Sequence, residues 1–450
     1  MADMATPTAP QAPVRRGADW LESWTPEDPE RWDSGRAWKT LWVTTFSLTL
    51  CFATWFLVSA LAPKLNNIGF DLSKSQLYWL AAMPGLAGGS LRLIWTFLPP
   101  IMGTRKMVTI TSALLLLPAI GWGMAVQNPD TPYAMLMFLA FLAGIGGGAF
   151  SGFMPSTSYF FPKAKQGTAL GVQAGIGNFG VSLVQFVVPW IVGLSILGAS
   201  QQFVDAKKGI DKEVWYQNAG YIWVPFIIIA VVLAWTLLRS VPVQAKGVRE
   251  QLDIFSNKHT WIMTVLYIIT FGSFSGLAAQ FGLLIKNLFG TDVFGAEGID
   301  PAQYVFWGAL VGSAARVLAG PIADRVGGAR VTLVAVLGIA GSIAFTSFQL
   351  SPSSADDFPA FFWGMLAIFF FTGVGNASTF KQMPMIFPPR QAGGVIGWTA
   401  AIAAFGPFVF GLMFATGFML PLFWFGVIVC LIGAGLTWHF YARPGAEMPS

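Results

Sequence analysis

Gly88-Gly89-Ser90-Leu91-Arg92 and Gly312-Ser313-Ala314-Ala315-Arg316 are two versions of one small-residue stretch, 224 positions apart, each ending on an arginine. The same offset pairs Gly103 with Gly327 and Lys106 with Arg330. Farther along, Gly144-Ile145-Gly146 and Met154-Pro155 repeat as Gly373-Val374-Gly375 and Met383-Pro384 at an offset of 229. Phe161-Pro162, Gly167 and Gly171 repeat as Phe387-Pro388, Gly393 and Gly397 at 226. Two small gaps account for the drift. Abundant glycine produces some of these matches by chance, but it does not place two arginines in register inside apolar sequence. The chain reads as two related halves.

Composition says what surrounds those halves. Of 450 residues, 55% are hydrophobic and 10% charged, against roughly 25% charged in an average soluble domain. Aromatic residues make up 15%, with 40 Phe and 19 Trp. Many apolar stretches exceed ~18 residues, the length of a membrane-spanning helix. The expected class is an all-α integral membrane protein. A soluble enzyme, a nucleic-acid binder and a disulfide-stapled secreted domain are excluded. The net charge of +5 reflects basic residues gathered on one side of the membrane rather than an acidic partner. Cys51 and Cys430 lie in apolar runs and suggest neither a disulfide framework nor a metal site. His259 and His439 fall at span ends with no cluster of ligands in the nearby sequence.

Apolar runs bounded by charge, Pro or Gly predict twelve transmembrane helices, at about 38–63, 75–100, 107–126, 132–155, 167–197, 219–239, 260–287, 302–323, 331–350, 359–384, 392–416 and 418–441. Helices are required, because lipid cannot satisfy open backbone groups and no alternating pattern points to a barrel. The polar, Pro-rich start carries no signal-peptide pattern and reads as a partly disordered cytoplasmic tail, 1–37. The halves are then bundles of six helices at 38–240 and 259–442, joined by a cytoplasmic linker at 241–258 and followed by a tail at 443–450. With both termini inside, the inner segments hold 17 Lys and Arg and the outer loops 6, the bias expected of a protein so oriented in the cell's inner membrane. Two even-numbered halves share one orientation, and an axis along the membrane normal relates them. This architecture resembles the major facilitator fold, in which substrate binds between the halves near the bilayer midplane.

Three basic residues lie within spans: Arg92, Arg316 and, near an inner end, Lys381. No acidic residue lies well inside any span, and Asp324 sits at the end of helix eight. A charge at the bilayer centre costs at least about 2.5–3.5 kcal/mol. The plainer reading pairs each arginine with helix carbonyls. The functional reading is that two permanently protonated, planar donor forks clamp one small planar oxyanion. Lys381 is expected to snorkel to the interface. Proton-driven carriers usually hold a titratable group in the membrane, and none is visible here, which points to exchange.

Glycines recur in matching places: Gly144 and Gly146 in helix four, Gly175 and Gly177 in helix five, Gly373 and Gly375 in helix ten. They allow close helix packing, and their recurrence predicts surfaces that slide or bend as hinges. Gly320-Pro321-Ile322-Ala323-Asp324-Arg325-Val326-Gly327-Gly328-Ala329-Arg330 joins helices eight and nine and resembles the major facilitator loop motif. Asp324, Arg325 and Arg330 are expected to act as a charge-paired latch.

Longer stretches resemble the nitrate/nitrite porter family. They are Ala143 to Ser182, including Phe160-Phe161-Pro162-Lys163-Ala164-Lys165-Gln166-Gly167 and Gly175-Ile176-Gly177-Asn178, and Gly373-Val374-Gly375-Asn376-Ala377-Ser378-Thr379-Phe380. Phe271-Gly272-Ser273-Phe274-Ser275-Gly276 and Trp24-Thr25-Pro26-Glu27-Asp28-Pro29 fit as well. Departures from the family pattern fall at Gly147-Gly148, Pro155-Ser156-Thr157 and Lys381-Gln382-Met383-Pro384. The resemblance implies a substrate clamp at Arg92 and Arg316, an orienting amide at Asn178, and slot walls at Phe150, Tyr267 and Phe271. It implies exchange of nitrate for nitrite, with nitrate/proton symport as the alternative and an anion channel or sensor as a more distant one. No cofactor, metal or catalytic residue is expected. The expected partners are nitrate, nitrite and the lipid bilayer, with no nucleic acid; the chain is expected to work as a monomer, alone or fused to a second transporter.

Overall fold

The computed structural model describes residues 17–242 and 252–450. Parts of the expected tail (1–16) and linker (243–251) lie outside the described residues. The principal helices are α1 (Ser34–Trp55), α2 (Lys74–Trp95), α3 (Pro99–Leu114), α4 (Tyr133–Ser158), α5 (Lys163–Ile191) and α6 (Trp223–Leu237) in the first half. In the second they are α7 (Lys258–Tyr267, resumed at Ser273–Phe289), α8 (Val305–Val326), α9 (Gly328–Ser347), α10 (Phe358–Ile386), α11 (Pro389–Ala403, resumed at Gly406–Ala415) and α12 (Met419–Thr437). Ten helices among the described residues are long and apolar enough to cross a membrane, or eleven if the bent pair Ser34–Trp55 and Leu57–Ile68 forms one span. The 22-residue α2 has the length of a span, but Arg92 and its run of glycines make it less apolar. The count of twelve thus holds only if α2, the helix that carries the charge, is also a span.

Local chemistry sets the helix ends. Asp33 caps α1 by accepting the Arg36 N–H at 2.9 Å. Ser73 and Gln76 cap α2 reciprocally. Gly103 and Gly327, paired by the repeat, both have positive φ, 76° and 100°. Gly103 kinks the chain within the first turns of α3 and Gly327 turns it between α8 and α9, a geometry that L side chains resist.

Small residues set the packing. A side chain at Gly146 would run into the Cys51 carbonyl of α1, and one at Gly373 into the Gly312 carbonyl of α8. A side chain at Gly144 would strike Ala87 of α2. Each of α4, α5 and α10 is continuous through its glycines. In this conformation the expected hinges are close-packing points rather than bends.

Three features differ from the sequence expectation. A two-stranded antiparallel hairpin, β1 (Gln201–Asp205) and β2 (Ile210–Val214), stands between α5 and α6, with Phe203 opposite Lys212. The described part of the leading tail is ordered. Trp24 and Trp32 donate their indole N–H groups to the Tyr159 and Phe160 carbonyls at 3.0 and 2.9 Å. Glu27 accepts the first N–H of α5, from Lys163, at 3.0 Å, and residue 20 bridges to Ser240. Indole N–H groups and a carboxylate at a helix start supply the partners that a loop's backbone otherwise lacks. Finally, His259 is not isolated. It is buried, with Nδ1 2.9 Å from the Tyr441 hydroxyl and Nε2 3.3 Å from Glu447, which also pairs with Lys258 at 2.7 Å. The trailing segment thereby folds onto the second half.

On the face opposite the two terminal segments the halves are joined. Lys64 and Asp300 form an ion pair at 2.9 Å, Ser182 donates to the Phe306 carbonyl at 3.1 Å, and Gln185 donates to the Ala278 carbonyl at 2.9 Å.

Candidate anion site between the halves

Arg92 leaves α2 and Arg316 leaves α8, each one turn beyond a glycine, Gly88 or Gly312, that lets a neighbouring helix approach. Arg92 is fully buried and Arg316 is 5% exposed. Arg92 lies within coulombic range of Arg316 and of Tyr267 on α7. Neither forms an ion pair among the described residues.

Arg92 does have carbonyl partners, so the plainer reading of its charge is partly met. Its Nε donates to the Gly147 carbonyl of α4 and its Nη1 to the Ala400 carbonyl of α11, both at 2.8 Å. The guanidinium thus bridges the two halves. Its Nη2 stays buried without a partner, as does Nη1 of Arg316. Buried polar atoms are almost always hydrogen-bonded, so orphaned cationic donors mark a place where something else can bind.

Aromatic rings wall this place. The Arg92 guanidinium carbon lies 4.8 Å from the Phe150 ring centre, 5.1 Å from Phe271 and 5.3 Å from Trp55. That of Arg316 lies 5.5 Å from Phe380. Tyr267 stacks on Phe271 at 5.5 Å and 10°, and Phe150 on Phe271 at 6.5 Å and 24°. Phe380 closes the ring, 6.3 Å from Phe150 and 6.1 Å from Tyr267. The stacking of Tyr267 on Phe271 coincides with a π-turn over Ile268–Gly272. Such turns occur mostly where function re-aims side chains. Cationic donors held over ring faces are favoured electrostatically, which stabilises the buried arginines.

The structure therefore brings together Arg92, Arg316, Phe150, Tyr267 and Phe271. The Tyr267 hydroxyl is also buried and unpartnered. Asn178 on α5 is buried with both amide atoms unpartnered, so it makes no hydrogen bond to either arginine. Phe380, Asn376 and Trp55 were missed. Asn376 is fully buried, again with an unpartnered amide. Asn376 and Phe380 are four residues apart, on one face of α10, and that spacing was readable within the quoted stretch. Trp55 carried no signal. It sits in a long apolar run, and only the fold shows its indole donating to the Pro84 carbonyl at 2.8 Å. A side chain at Gly147 would meet that indole at 2.6 Å, which accounts for glycine there.

The expected latch is arranged differently. Asp324 pairs with Lys381 of α10 at 2.5 Å, and neither Arg325 nor Arg330 joins an ion pair among the described residues. Lys381 is thus drawn into a pair instead of simply snorkelling, because α8 and α10 end side by side. Gly175 faces Val317 of α8, where a side chain would come within 2.6 Å, and Gly177 faces Leu48 of α1. Gly375 faces Thr270 of the π-turn.

The family model of the Major Facilitator Superfamily matches residues 43–352. The chain belongs to that superfamily. Within it the porter is 60% identical over 440 residues to a probable nitrate/nitrite antiporter, NarK2, of Thermus thermophilus, covering 96% of this chain and 98% of the relative. It is 34% identical to the nitrate/nitrite transporter NarU of Salmonella typhimurium, covering 94% and 96%. These matches place it among the nitrate/nitrite porters of the superfamily, as a membrane transporter and not an enzyme. In fold, the porter is similar to a crystal structure of a D-xylose–proton symporter, with a TM-score of 0.68, 17% identity, and 89% and 97% of the chains covered.

Proposed function

We propose that this porter exchanges nitrate for nitrite across the cell's inner membrane by alternating access, with both termini on the cytoplasmic side. The anion lies between Arg92 and Arg316, walled by Phe150, Tyr267, Phe271 and Phe380, with Asn178 as a neutral amide within the same interface. One observation carries the reading. Two buried arginines from matching places in the halves each keep a donor without a partner, and no carboxylate among the described residues pairs with either. A planar anion accepts two in-plane hydrogen bonds from opposed forks, and flat ring walls with positive edges suit a thin ligand.

The coupling follows from the same charges. Arginine stays protonated at physiological pH. An empty site that changes sides must carry two uncompensated charges through a low-dielectric interior, which is costly. A bound anion lowers the barrier for both directions of travel. With Arg92 reaching Ala400 of the other half, the anion also completes a bridge whose breaking and re-forming accompanies the switch. The halves move as rigid bodies around the site.

Counterflow in proteoliposomes tests this. Labelled nitrate should enter quickly when nitrite or nitrate is loaded inside and slowly when the vesicles hold neither. A pH gradient should matter little. Rapid uptake into empty vesicles, driven by an alkaline interior, would mean proton symport and overturn exchange. Flux too fast for a carrier and insensitive to internal anion would favour a channel.

A further inference from the structure

Given the alternating access proposed for this porter, we propose further that Phe203, in the β1–β2 hairpin, is a positioning residue for the transport cycle. Its ring holds the Lys64 ammonium where Asp300 of the other half meets it. Under alternating access the Lys64–Asp300 pair belongs to the closure that must open on the face away from the termini. The two partners are unequally fixed. Asp300 is held by its own backbone, since its Oδ1 accepts the Ala302 N–H at 3.0 Å as well as the Lys64 ammonium. Lys64, in the 3₁₀ turn Ala62–Ile68, carries its charge on a flexible stem. The cost of ordering such a stem is one reason that ion pairs near the surface contribute little.

The hairpin supplies the constraint that the stem lacks. The Lys64 Nζ lies 5.5 Å from the centre of the Phe203 ring, and Lys212, opposite Phe203 in the strand register, lies 5.6 Å from it. Both are within cation–π range. Phe203 is buried, and the hairpin around it is fastened to the first half. Its Val204 carbonyl accepts from Asn67 Nδ2 at 2.9 Å, and the Trp215 N–H donates to the Val192 carbonyl at 2.7 Å. The same hairpin faces charges of the second half. Asp205 lies within coulombic range of Lys286 on α7, and Lys208 within that of Asp300. A ring anchored in one half thus steadies the cation that pairs with the other. An external anion binds only the porter open to it, so the share of that state sets the apparent external affinity.

Spin-label distances in the whole porter in detergent, with neither anion nor pH gradient, test this separately from the coupling. Labels sit on Asp130→Cys and Asp356→Cys, exposed in loops of the two halves, while native Cys51 and Cys430 are buried. Phe203→Leu keeps the apolar packing and removes the ring. It should raise the ratio of long to short distances, open to closed, roughly two- to fivefold, the share of one cation–π contact. Phe203→Tyr should leave the ratio near that of the unmodified protein. In an Asp300→Asn background, which opens the closure by itself, Phe203→Leu should add little, because the ring acts through that pair. Labels on Asp130→Cys and Lys207→Cys, both in the first half, should keep their separation in Phe203→Leu. A hairpin displaced in that variant would mean that Phe203 anchors the hairpin instead of Lys64, and would overturn the proposal. If Asp300→Asn opens the porter and Phe203→Leu does not, Phe203 only packs the hairpin, and the proposal falls with alternating access intact. An equal effect of Phe203→Leu with and without Asp300 would overturn it too. A distance unchanged in every variant would sink the proposal and alternating access together.

Discussion

Replacing Arg92 by Lys keeps the charge and removes the fork. In the structure one guanidinium makes two carbonyl hydrogen bonds at 2.8 Å, to Gly147 and Ala400, and holds a third donor free. An ammonium on a flexible stem cannot reach both carbonyls and still present a donor to an anion. At least one charge-assisted hydrogen bond is lost, worth about 1.5–3 kcal/mol. A buried carbonyl is left bare, at a further cost of about 1–3 kcal/mol. The first loss falls on the anion when the ammonium stays with the carbonyls, which weakens apparent affinity roughly 10- to 100-fold. The second falls on the folded state. Arg316→Lys should lose a similar share of transport, since its free Nη1 is what the anion would use, with a smaller loss of stability. Paired measurements decide: initial counterflow rates over a range of nitrate concentrations, and thermal unfolding of the purified protein in detergent. Near-normal transport by both Lys variants would refute the clamp. An equal stability loss at the two positions would refute the distinct role given to the Arg92 carbonyl bonds.

Asn178→Asp should be worse for transport than Asn178→Ala, because a carboxylate in that buried place repels the anion while alanine only loses a donor; equal activity would make Asn178 a packing residue. Nitrate and nitrite should each inhibit uptake of the other, whereas sulfate and phosphate, bulky and tetrahedral, should not fit between the stacked rings; strong sulfate inhibition would show selection by charge instead of shape. Asp300, outside the spans, is partly buried, which by itself would raise its pKa, but the Lys64 charge and hydrogen bond and the Ala302 N–H hold it below the usual carboxylate range. A depressed folded pKa gives stability that is present above the ordinary value near ~3.9 and lost as pH falls through the folded one. The Lys64–Asp300 closure should therefore be unchanged between about pH 8 and 5, while Asp300→Asn loosens it throughout. Spin-label distances between positions 207 and 297 would reveal this, and a closure that opens near neutral pH would contradict it.

Much of the candidate site was legible because the chemistry that makes it expensive also makes it conspicuous. Arginine inside apolar sequence stands out by its cost, and a repeat that sets two such arginines in register says that they act together. Phe150, Tyr267 and Phe271 could be named from the family resemblance. Their stacking could not, because it coincides with a π-turn that no local pattern announces. Phe380 and Asn376 were readable on one face of α10 yet looked like ordinary members of a buried helix. Trp55 gave no sign at all, since an indole in a hydrophobic run is what any membrane helix contains.

The sequence alone determined that this is a helical membrane protein of two repeated halves, because length, apolarity and rare charge are properties of the chain. Small-residue clusters likewise fixed where helices would touch. What the tertiary structure decided are the pairings between residues far apart in the chain. Arg92 turns to carbonyls of two helices, one from each half. Asp324 takes Lys381 as its partner rather than Arg330, and His259 finds Tyr441 and Glu447 some 180 residues away. The order of residues 17–33 belongs with these, since a polar segment with few apolar residues gains its structure from the helix ends on which it lies. Each depends on which surfaces meet in space, and hydrogen-bond geometry acts over about 3 Å, a distance that sequence separation does not encode.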